Sequence, residues 1–381
     1  MASKSKLIAE LLDASGDVLL GNLDNVPASN DASALTTGTL PIARIADGDI
    51  TNAKLADTVN RGRRNVLING GMNICQRATS FTYTGGIWVY GGPDRWAGHF
   101  DGPPTGATRH QFGGGPSGVG SSHFVELRGG TSGGNGSAYL SQRIESQNLQ
   151  GIRDANTATV SGWVKRSGSA NSTFSVNMIC PTATDNYGSY TTHGGVFTDN
   201  ETISGDGTVG SSSFTLTTVD TWYYFSATVP NFNSKTNADK GMQLYFAVGG
   251  LSTTSDKYQF TQIQLEAGTE ATPFEHRSVR EEQTDCERYF EVGGSSQRLT
   301  GSIHRVAIPY RTQKRTNATY VVYYGTTERL AETSPGTINR SNSTNSGWNE
   351  GGNSWYGNME KNAGSETSVD YLWQFTASAE L

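Results

Sequence analysis

The stretch Trp222-Tyr-Tyr-Phe-Ser-Ala-Thr-Val229 places apolar residues at every second position. Successive side chains of a strand point to opposite faces of a sheet, so a period of two is typical of a β-strand. The two faces are Tyr223, Phe225, Ala227 and Val229 on one side and Trp222, Tyr224, Ser226 and Thr228 on the other. The same alternation recurs in Thr159–Lys165, Met242–Val248 and Tyr258–Glu266. We therefore expect a sheet protein.

The composition agrees with this pattern. Among 381 residues there are 47 glycines, only 34% hydrophobic residues and 17% charged residues, while 16 Tyr, 14 Phe and 7 Trp can fill a core. Such a mixture is poor in helix formers and rich in turn formers. About ten short strands with Gly-rich turns and no alternation of strands with helices predict a β-sandwich or jelly roll.

The chain divides into segments of different character. Residues 1–60 contain no Trp, Tyr, Phe or Cys, so they cannot close a core alone. We expect an extended N-terminal segment there, with a short helix followed by a shaft-like stretch, in which identical chains pack together. A flexible linker is the alternative for these residues. Residues 61–277 should form the central sandwich.

A dense run of charged residues follows the predicted sandwich. Within 278–290, helical spacing brings Val279, Cys286 and Phe290 towards one face, which predicts a short connecting helix. Residues 291–381 should form a smaller C-terminal β-domain, because strand patterns resume there and continue to the last residues. We expect the C-terminus to be held within this domain.

Charge and motif content argue against several classes of protein. The net charge of −6 and the absence of a dense basic stripe speak against nucleic acid as a partner. No stretch approaches the roughly 20 apolar residues of a membrane helix, so no membrane insertion is expected. Cys75, Cys180 and Cys286 are too scattered for a zinc site or disulfide framework, and predict buried thiols of a protein made in a reducing cytoplasm.

No catalytic or metal-binding pattern stands out. Asp94, Glu126 and Glu145 are among acids that stand alone in the sequence, and the six histidines lack ligand spacing. We therefore expect no enzyme activity, no metal and no cofactor. In Asp94-Arg-Trp96, we expect Arg95 to pair with Asp94 while Trp96 enters the core.

Several motifs, taken in order, resemble those of phage tail-fibre and other fibre-like virion structural proteins that carry a carbohydrate-binding-module-like jelly roll. The motifs that resemble the opening, middle and closing parts of the jelly roll are Asn65-Val-Leu-Ile-Asn-Gly-Gly-Met-Asn-Ile-Cys-Gln-Arg77, Pro93-Asp-Arg-Trp96, Ser161-Gly-Trp-Val-Lys165, Thr221-Trp-Tyr223, Gln264-Leu-Glu-Ala-Gly268 and Ala271-Thr-Pro-Phe-Glu-His-Arg277. Cys286-Glu-Arg-Tyr-Phe290 resembles the segment that commonly follows this domain.

The two ends of the chain add to the resemblance. Thr37-Gly-Thr-Leu-Pro-Ile-Ala-Arg-Ile45 and Ile50-Thr-Asn-Ala-Lys-Leu-Ala56 are similar to shaft repeats of phage fibres, and Phe375-Thr-Ala-Ser-Ala-Glu-Leu381 is similar to the ending of fibre-tip domains. The resemblance implies a homotrimer on the surface of the virion, attached to phage tail or head proteins through residues 1–60. It supplies no catalytic residues.

Sugar binding usually requires exposed aromatic rings beside polar groups. The loop aromatics next to Gly, Asn or Ser are the candidates, although a place at the edge of the core or in a subunit contact is an alternative for each. These candidates are Trp88, Tyr90, Tyr187, Tyr190, Trp348, Trp355 and Tyr356.

The leading interpretation is a tail fibre that is not an enzyme and whose β-domains contact host surface polysaccharide or lipopolysaccharide. A capsid fibre or decoration (cement) protein on the phage head is the alternative, since only the docking partner of the N-terminus differs. A polysaccharide depolymerase is the third possibility.

Overall fold

The computed structural model of the chain describes residues 63–82, 88–101, 107–112, 114–120, 122–130, 136–187, 199–202, 213–235, 237–299, 303–316, 319–324, 338–339, 354–361 and 369–380. They belong to one compact unit that spans 61–381. The predictions made for residues 1–60 lie outside the described residues. The predicted segment boundaries after residues 60, 277 and 290 stay predictions, as does the homotrimer.

Two sheets form the larger part of this unit. The first consists of β1 (Ser80–Thr82), β4 (Ala107–Phe112), β5 (His123–Arg128), β7 (Thr157–Ser167), β11 (Trp222–Pro230) and β13 (Lys257–Ala267). The second consists of β2 (Val89–Tyr90), β3 (Ala97–Asp101), β6 (Ser137–Ile144), β8 (Thr173–Cys180), β9 (Asp199–Thr202), β10 (Ser213–Thr215) and β12 (Met242–Val248). We call them the six-stranded and the seven-stranded sheet, counting described strands.

All strand pairs in these two sheets are antiparallel, within the described residues. The six-stranded sheet has the order β1-β4-β5-β13-β7-β11, and the seven-stranded sheet has the order β10-β8-β12-β6-β3-β2, with β9 also paired to β8. From β5 to β8 and from β11 to β13, successive strands alternate between the two sheets. This alternation fits the predicted jelly roll, and the predicted mainly β fold with a β-sandwich is confirmed.

Aromatic rings from both sheets fill the space between them. Phe246 of the seven-stranded sheet and Phe260 of the six-stranded sheet have ring centroids 5.1 Å apart, and Phe174 meets Phe225 edge-on at 5.3 Å. All four rings are buried, as is Trp96. Close contacts between large rings from facing sheets explain how a chain with so few aliphatic residues stabilises a sandwich.

The segment before β1 pairs with the end of β13. Val66 N donates to Leu265 O at 2.9 Å, and Ile263 N donates to Gly70 O at 3.0 Å. A Cβ atom on Gly70 would lie only 2.1 Å from Ile263 O, so this contact requires glycine. The opening motif of the sandwich therefore lies against its closing strand.

Two α-helices occur in the described residues. Helix α1 (Gln150–Ala155) links β6 to β7, after a 3₁₀ turn at Ser146–Leu149, and a second 3₁₀ turn covers Phe232–Ser234. Helix α2 (Val279–Glu287) falls within the predicted connecting segment and begins with a capping box between Ser278 and Glu281.

The predicted face of helix α2 is only partly correct. Cys286 is fully buried and Phe290 is buried at the start of the next strand, but Val279 is 61% exposed. Because the helix ends at Glu287, helical spacing no longer applies at Phe290. In the first turn of the helix, Val279, Arg280 and Glu281 are exposed to solvent, whereas Glu282 is buried.

The chain ends in two small antiparallel sheets. One has the order β14-β19-β16 and the other the order β15-β18-β17, among the described strands. Their bounds are β14 Phe290–Leu299, β15 Ile303–Pro309, β16 Thr319–Tyr324, β17 Ile338–Asn339, β18 Ser354–Lys361 and β19 Val369–Ser378. After β19, Ala379 N donates to Tyr289 O at 2.7 Å, which ties the chain end to the residues after helix α2.

Candidate functional site

The first candidates for sugar binding, Trp88 and Tyr90, lie at the β2 end of the seven-stranded sheet. Trp88 is only 5% exposed and packs against His99 and Tyr139, with ring centroids 5.2 and 6.1 Å apart. Tyr90 is half-buried, and the guanidinium carbon of Arg77 lies 5.2 Å from the centre of its ring. The buried ring of Trp88 therefore lacks the open face that a sugar needs for stacking.

The other candidates are placed less favourably or fall outside the description. Tyr187 is 2% exposed, its hydroxyl donates to Ile144 O, and burial raises its pKa well above the ordinary value. Tyr190 and Trp348 lie outside the described residues. Trp355 and Tyr356 belong to β18, but their side chains are outside the description. The seven residues thus stay predictions as a set, with Trp88 and Tyr187 placed as buried residues.

A different set of aromatic residues faces outward on the six-stranded sheet. Inward residues of β7 and β11, such as Val160 and Phe225, enter the core, so their neighbours along each strand face away from it. We define the aromatic platform as the outward residues Phe124, Trp163, Lys165, Trp222 and Tyr224.

Strand register brings the platform residues side by side. Trp222 of β11 lies opposite Lys165 of β7, and Tyr224 lies opposite Trp163. The rings of Trp163 and Tyr224 meet edge-on with centroids 5.5 Å apart. Tyr224 is 49% exposed, and both tryptophans are half-buried. The platform therefore combines aromatic rings with open surface, as sugar stacking requires.

Trp222 is held in place from two sides. Its indole Nε1 donates to Gly114 O at 3.0 Å, and its ring meets Phe124 edge-on at 5.8 Å. A ring that is already fixed loses little conformational entropy on binding. The platform is thus preorganised on regular strands.

Lys165 is the cation of the platform. Its Nζ lies 4.9 Å from the ring centre of Trp222 and 5.8 Å from that of Phe124. No ion pair within the described residues involves this ammonium group. Burial lowers the pKa of Lys165, although the charges of Asp220 and Glu126 act in the opposite direction. An ammonium group without a paired acid is available to an anionic ligand.

A row of polar side chains continues from the platform across the sheet. Gln259 lies opposite Lys165 on one side and opposite Glu126 on the other, and Lys257 lies opposite Arg128. We call Glu126, Arg128, Lys257 and Gln259 the polar row. From Trp222 to Glu126 there are three inter-strand steps, or roughly 14 Å.

The polar row contains one acceptor without a donor. Gln259 Nε2 donates to Glu126 Oε2 at 2.8 Å, whereas Gln259 Oε1 has no hydrogen-bond partner although the residue is only 6% exposed. The amide orientation follows from Glu126, because an ionised carboxylate only accepts. A buried acceptor of this kind is satisfied when a ligand or water supplies a donor.

Sequence reasoning recognised two of the three platform strands, β7 and β11, but did not select their rings. The alternation in β7 and β11 already placed Trp163, Trp222 and Tyr224 opposite the core-facing residues. Large rings on the outward face of two neighbouring strands are a signal for a binding surface. The pairing of the two strands, which brings the rings together, was not available from the sequence.

The opening and closing motifs lie elsewhere, where α2 and the residues after β19 meet the sandwich, whereas the middle motifs contain the platform residues Trp163, Lys165 and Trp222. We define the junction cluster as Arg77, Arg95, Arg277, Glu282, Tyr289 and Glu380. Arg77 Nη2 lies 3.0 Å from Glu380 Oε1, and Arg95 pairs with the other oxygen of the same carboxylate. The guanidinium of Arg95 also lies 3.5 Å from the ring centre of Tyr289.

The expected partner of Arg95 was therefore wrong. Asp94 instead accepts hydrogen bonds from Gln76 N at 2.9 Å and Gln76 Nε2 at 2.6 Å. The Arg95 backbone has a left-handed φ of 72°, and its guanidinium pairs with Glu380 and donates to Arg143 O at 2.6 Å. Burial raises the pKa of Asp94, with the charge of Arg77 acting against that shift. Trp96 enters the core as expected.

The closing motif completes this cluster. Arg277 Nη1 lies 3.0 Å from Glu282 Oε1, and Glu282 also accepts a hydrogen bond from Asn69 N. Glu275 accepts from Arg64 N and Asn65 N, each at 3.0 Å. The residues with the strongest family resemblance are thus engaged in holding the fold together.

Two of the acids that stand alone in the sequence are engaged in ion pairs. Glu126 has ion pairs with Arg128 and Lys257, and Glu145 has ion pairs with Arg288 and Arg315. Among the described residues no group of His, Cys, Asp and Glu is arranged to hold a metal ion. No described helix is long and apolar enough to cross a membrane.

No family model matches the chain, and the search of curated proteins gave no match. One similar solved structure is the enzymatically active domain of tailspike protein 4 of bacteriophage CBA120, with 10% identity, 53% of this chain, 21% of that chain and a TM-score of 0.31. The chain thus spans about a fifth of the tailspike chain.

Two other solved structures are smaller. A carbohydrate-binding module in complex with β-1,4-galactotriose has 12% identity and a TM-score of 0.26 over 54% of this chain and all of that chain. A xylan-binding domain from Paenibacillus barcinonensis has 10% identity and a TM-score of 0.27 over 52% of this chain and all of that chain. The assignment of a β-sandwich rests on the sheets described above.

Proposed function

We propose that this chain is a non-catalytic structural protein of a phage particle, a tail fibre that binds a host surface glycan through the aromatic platform. The half-buried ring of Trp163 and the exposed ring of Tyr224, beside a buried acceptor without a donor, are the observation that carries the glycan part. Aromatic rings stack on the apolar C–H faces of sugars, while a few polar groups read their hydroxyls.

The motif order supports the virion part of the proposal. Opening, middle and closing segments that resemble phage fibre domains follow one another in 65–277, and shaft-like repeats precede them in 37–56. In this proposal residues 1–60 attach a homotrimer to the tail. Three linked platforms would raise the effective concentration for a second contact, so weak individual sites suffice.

The proposal of a non-catalytic protein is supported by the surroundings of the acids. Hydrolysis of a glycosidic bond by the usual mechanism needs two carboxyl groups on either side of the bond. Glu126, the acid of the polar row, is paired with Arg128 and Lys257 instead. A reducing-end assay on host polysaccharide separates binding from depolymerisation, since release of product would exclude this part of the proposal.

Glycan binding is tested by incubating the full chain with an array of bacterial surface polysaccharides and lipopolysaccharides. We expect retention on at least one glycan, and loss of that retention in the Trp163→Ala/Tyr224→Ala variant. The Val279→Ala variant is the matched control, because Val279 is an exposed apolar residue outside the platform. Equal binding by parent and platform variant would refute the platform as the site.

Position on the particle requires a separate experiment. Immunogold labelling of particles should mark the tail, and labelling of the head would favour a capsid fibre or decoration protein instead. A chain without residues 1–60 should fail to enter particles, while continued incorporation would remove the docking role from that segment.

A further inference from the structure

We infer that the aromatic platform selects an acidic saccharide, with a sugar carboxylate on Lys165 and a sugar hydroxyl on Gln259 Oε1. This inference rests on the proposed function and names the class of glycan that the same site takes. Two neighbouring side chains, one a cation and one an acceptor, carry it.

The first step concerns the charge of Lys165. Its ammonium group lies over two aromatic rings and takes part in no ion pair within the described residues. Lysine has three donors, and the rings above which it lies accept them only weakly. A ligand carboxylate would supply the anionic partner at a partly buried position, where an ion pair is screened less than at the surface.

The second step concerns the acids near this lysine. Glu126 is 4% exposed, and it is matched by Arg128 at 3.4 Å and Lys257 at 3.8 Å. Asp220, in the turn before β11, has a negative charge that acts on Lys165, and it accepts a hydrogen bond from Ser167 Oγ at 2.6 Å. Three cations, Lys165, Arg128 and Lys257, thus act together with only two acids, Glu126 and Asp220. The surplus positive charge favours an anion over a neutral ligand.

The third step concerns the kind of anion. Gln259 Oε1 needs a donor, and Gln259 lies directly opposite Lys165 in the paired strands. A carboxylate has no donor to give, so a carboxylate alone cannot satisfy both groups. A sugar acid combines a carboxylate with neighbouring hydroxyls and with C–H faces that fit Trp163 and Tyr224. An acidic peptide offers the carboxylate without this set of hydroxyls.

The test measures binding of the full chain to three polymers by calorimetry: polygalacturonate, its methyl ester, and polyglutamate. Polygalacturonate should bind at least tenfold more tightly than the other two, and the preference should weaken as salt is added. Equal affinity for the methyl ester would overturn the role of the carboxylate. Equal affinity for polyglutamate would overturn the saccharide.

Variants separate this inference from the proposed function. Lys165→Met should reduce the affinity for polygalacturonate about tenfold and leave binding of the methyl ester unchanged, while Lys240→Met, a surface lysine paired with Asp239, should change neither. Unchanged polygalacturonate binding in Lys165→Met would overturn the inference. Gln259→Met tests the hydroxyl contact, with the melting temperature as a check of folding.

The two ideas fail in different ways. If the parent binds neutral glycans and loses them in the Trp163→Ala/Tyr224→Ala variant, but shows no preference for polygalacturonate, the acidic class is wrong and the platform stands. If the parent binds none of the bacterial glycans and none of the three polymers, the proposed function itself is wrong.

Discussion

The aromatic platform and the junction cluster differ in whether their charged side chains are paired with a group of opposite charge. In the junction cluster, Arg95 is 1% exposed and meets both a carboxylate and an aromatic ring, and Glu380 is held by two arginines. On the platform, Lys165 lies over aromatic rings and has no ion pair with an acid among the described residues. The ring of Tyr224 is exposed. A buried network of paired charges stabilises the structure, whereas an ammonium group without a paired acid beside an exposed ring is suited to binding a ligand.

The comparison separates family resemblance from function. Recognisable motifs such as Asn65–Arg77 and Ala271–Arg277 contribute to the junction cluster or to the contact between opening and closing strands. They need particular residues because buried charges and close backbone contacts tolerate few alternatives. The platform includes Trp163, Lys165 and Trp222 of the middle motifs, whose side chains face away from the core between the sheets.

The largest effect is expected from Arg95→Ala. The substitution leaves the Glu380 carboxylate buried with one arginine instead of two, so the free energy of unfolding should fall by about 3 kcal/mol. Urea unfolding measures this change, and Arg280→Ala on the exposed side of helix α2 is the control. A loss below about 1 kcal/mol would mean that the junction cluster contributes little to stability.

A smaller, pH-dependent effect is expected from Glu275→Gln. Burial acts to raise the pKa of Glu275, but hydrogen bonds from Arg64 N and Asn65 N and the charge of Arg277 outweigh burial and hold the pKa below its ordinary value of 4.5. A lowered folded pKa gives stability that is present above about pH 4.5 and lost as the pH falls through the folded value.

At pH 7, Glu275→Gln should therefore lower the free energy of unfolding by about 1–2 kcal/mol, allowing for partial exposure. Unfolding curves at several pH values should show that the difference from the parent shrinks below pH 4.5. The exposed Glu270→Gln is the control. A difference that grows on acidification would contradict the assigned direction of the pKa shift.

On the platform, Tyr224→Ala should act on binding and not on stability. Loss of one stacking ring should weaken glycan affinity about tenfold, which corresponds to roughly 1.4 kcal/mol. The melting temperature should stay close to that of the parent, since the ring is half-exposed on an edge strand. A large fall in melting temperature with unchanged affinity would contradict the comparison, because Tyr224 would then contribute to stability and not to glycan binding.

The smallest effect is expected from Ser278→Ala, at the start of helix α2. The serine hydroxyl accepts a hydrogen bond from Glu281 N at 3.3 Å, and loss of such a cap costs about 1 kcal/mol. Thermal unfolding measures it, with Thr284→Ala in the helix interior for comparison. Any weakening of glycan binding by Ser278→Ala would show that the junction and the platform are coupled.

Much of the sandwich could be predicted because its strands follow a period of two. Met242–Val248 was predicted with the bounds that β12 has, and Tyr258–Glu266 lies within β13. Trp96 was also placed correctly in the core. These are local properties of pattern and hydrophobicity.

The site was harder to predict because it depends on contacts between distant strands. Trp88 and Tyr187 stand beside loop-forming residues, yet tertiary packing buries both rings. Gln259 lies between Glu126 and Lys165 only because β13 pairs with β5 on one side and with β7 on the other. This placement directs its Nε2 to Glu126 and leaves its Oε1 without a donor. The pairing of Arg95 with Glu380 joins residues 285 positions apart. No local pattern encodes these distances.

The central claim is that the platform binds glycan while the junction cluster holds the fold together. The most direct measurement compares Trp163→Ala/Tyr224→Ala with Arg95→Ala, recording melting temperature and affinity for the same bacterial polysaccharide. We predict that the platform variant keeps its melting temperature and loses at least tenfold in affinity, whereas the folded fraction of Arg95→Ala binds like the parent. A folded platform variant that binds the polysaccharide as tightly as the parent would contradict the account.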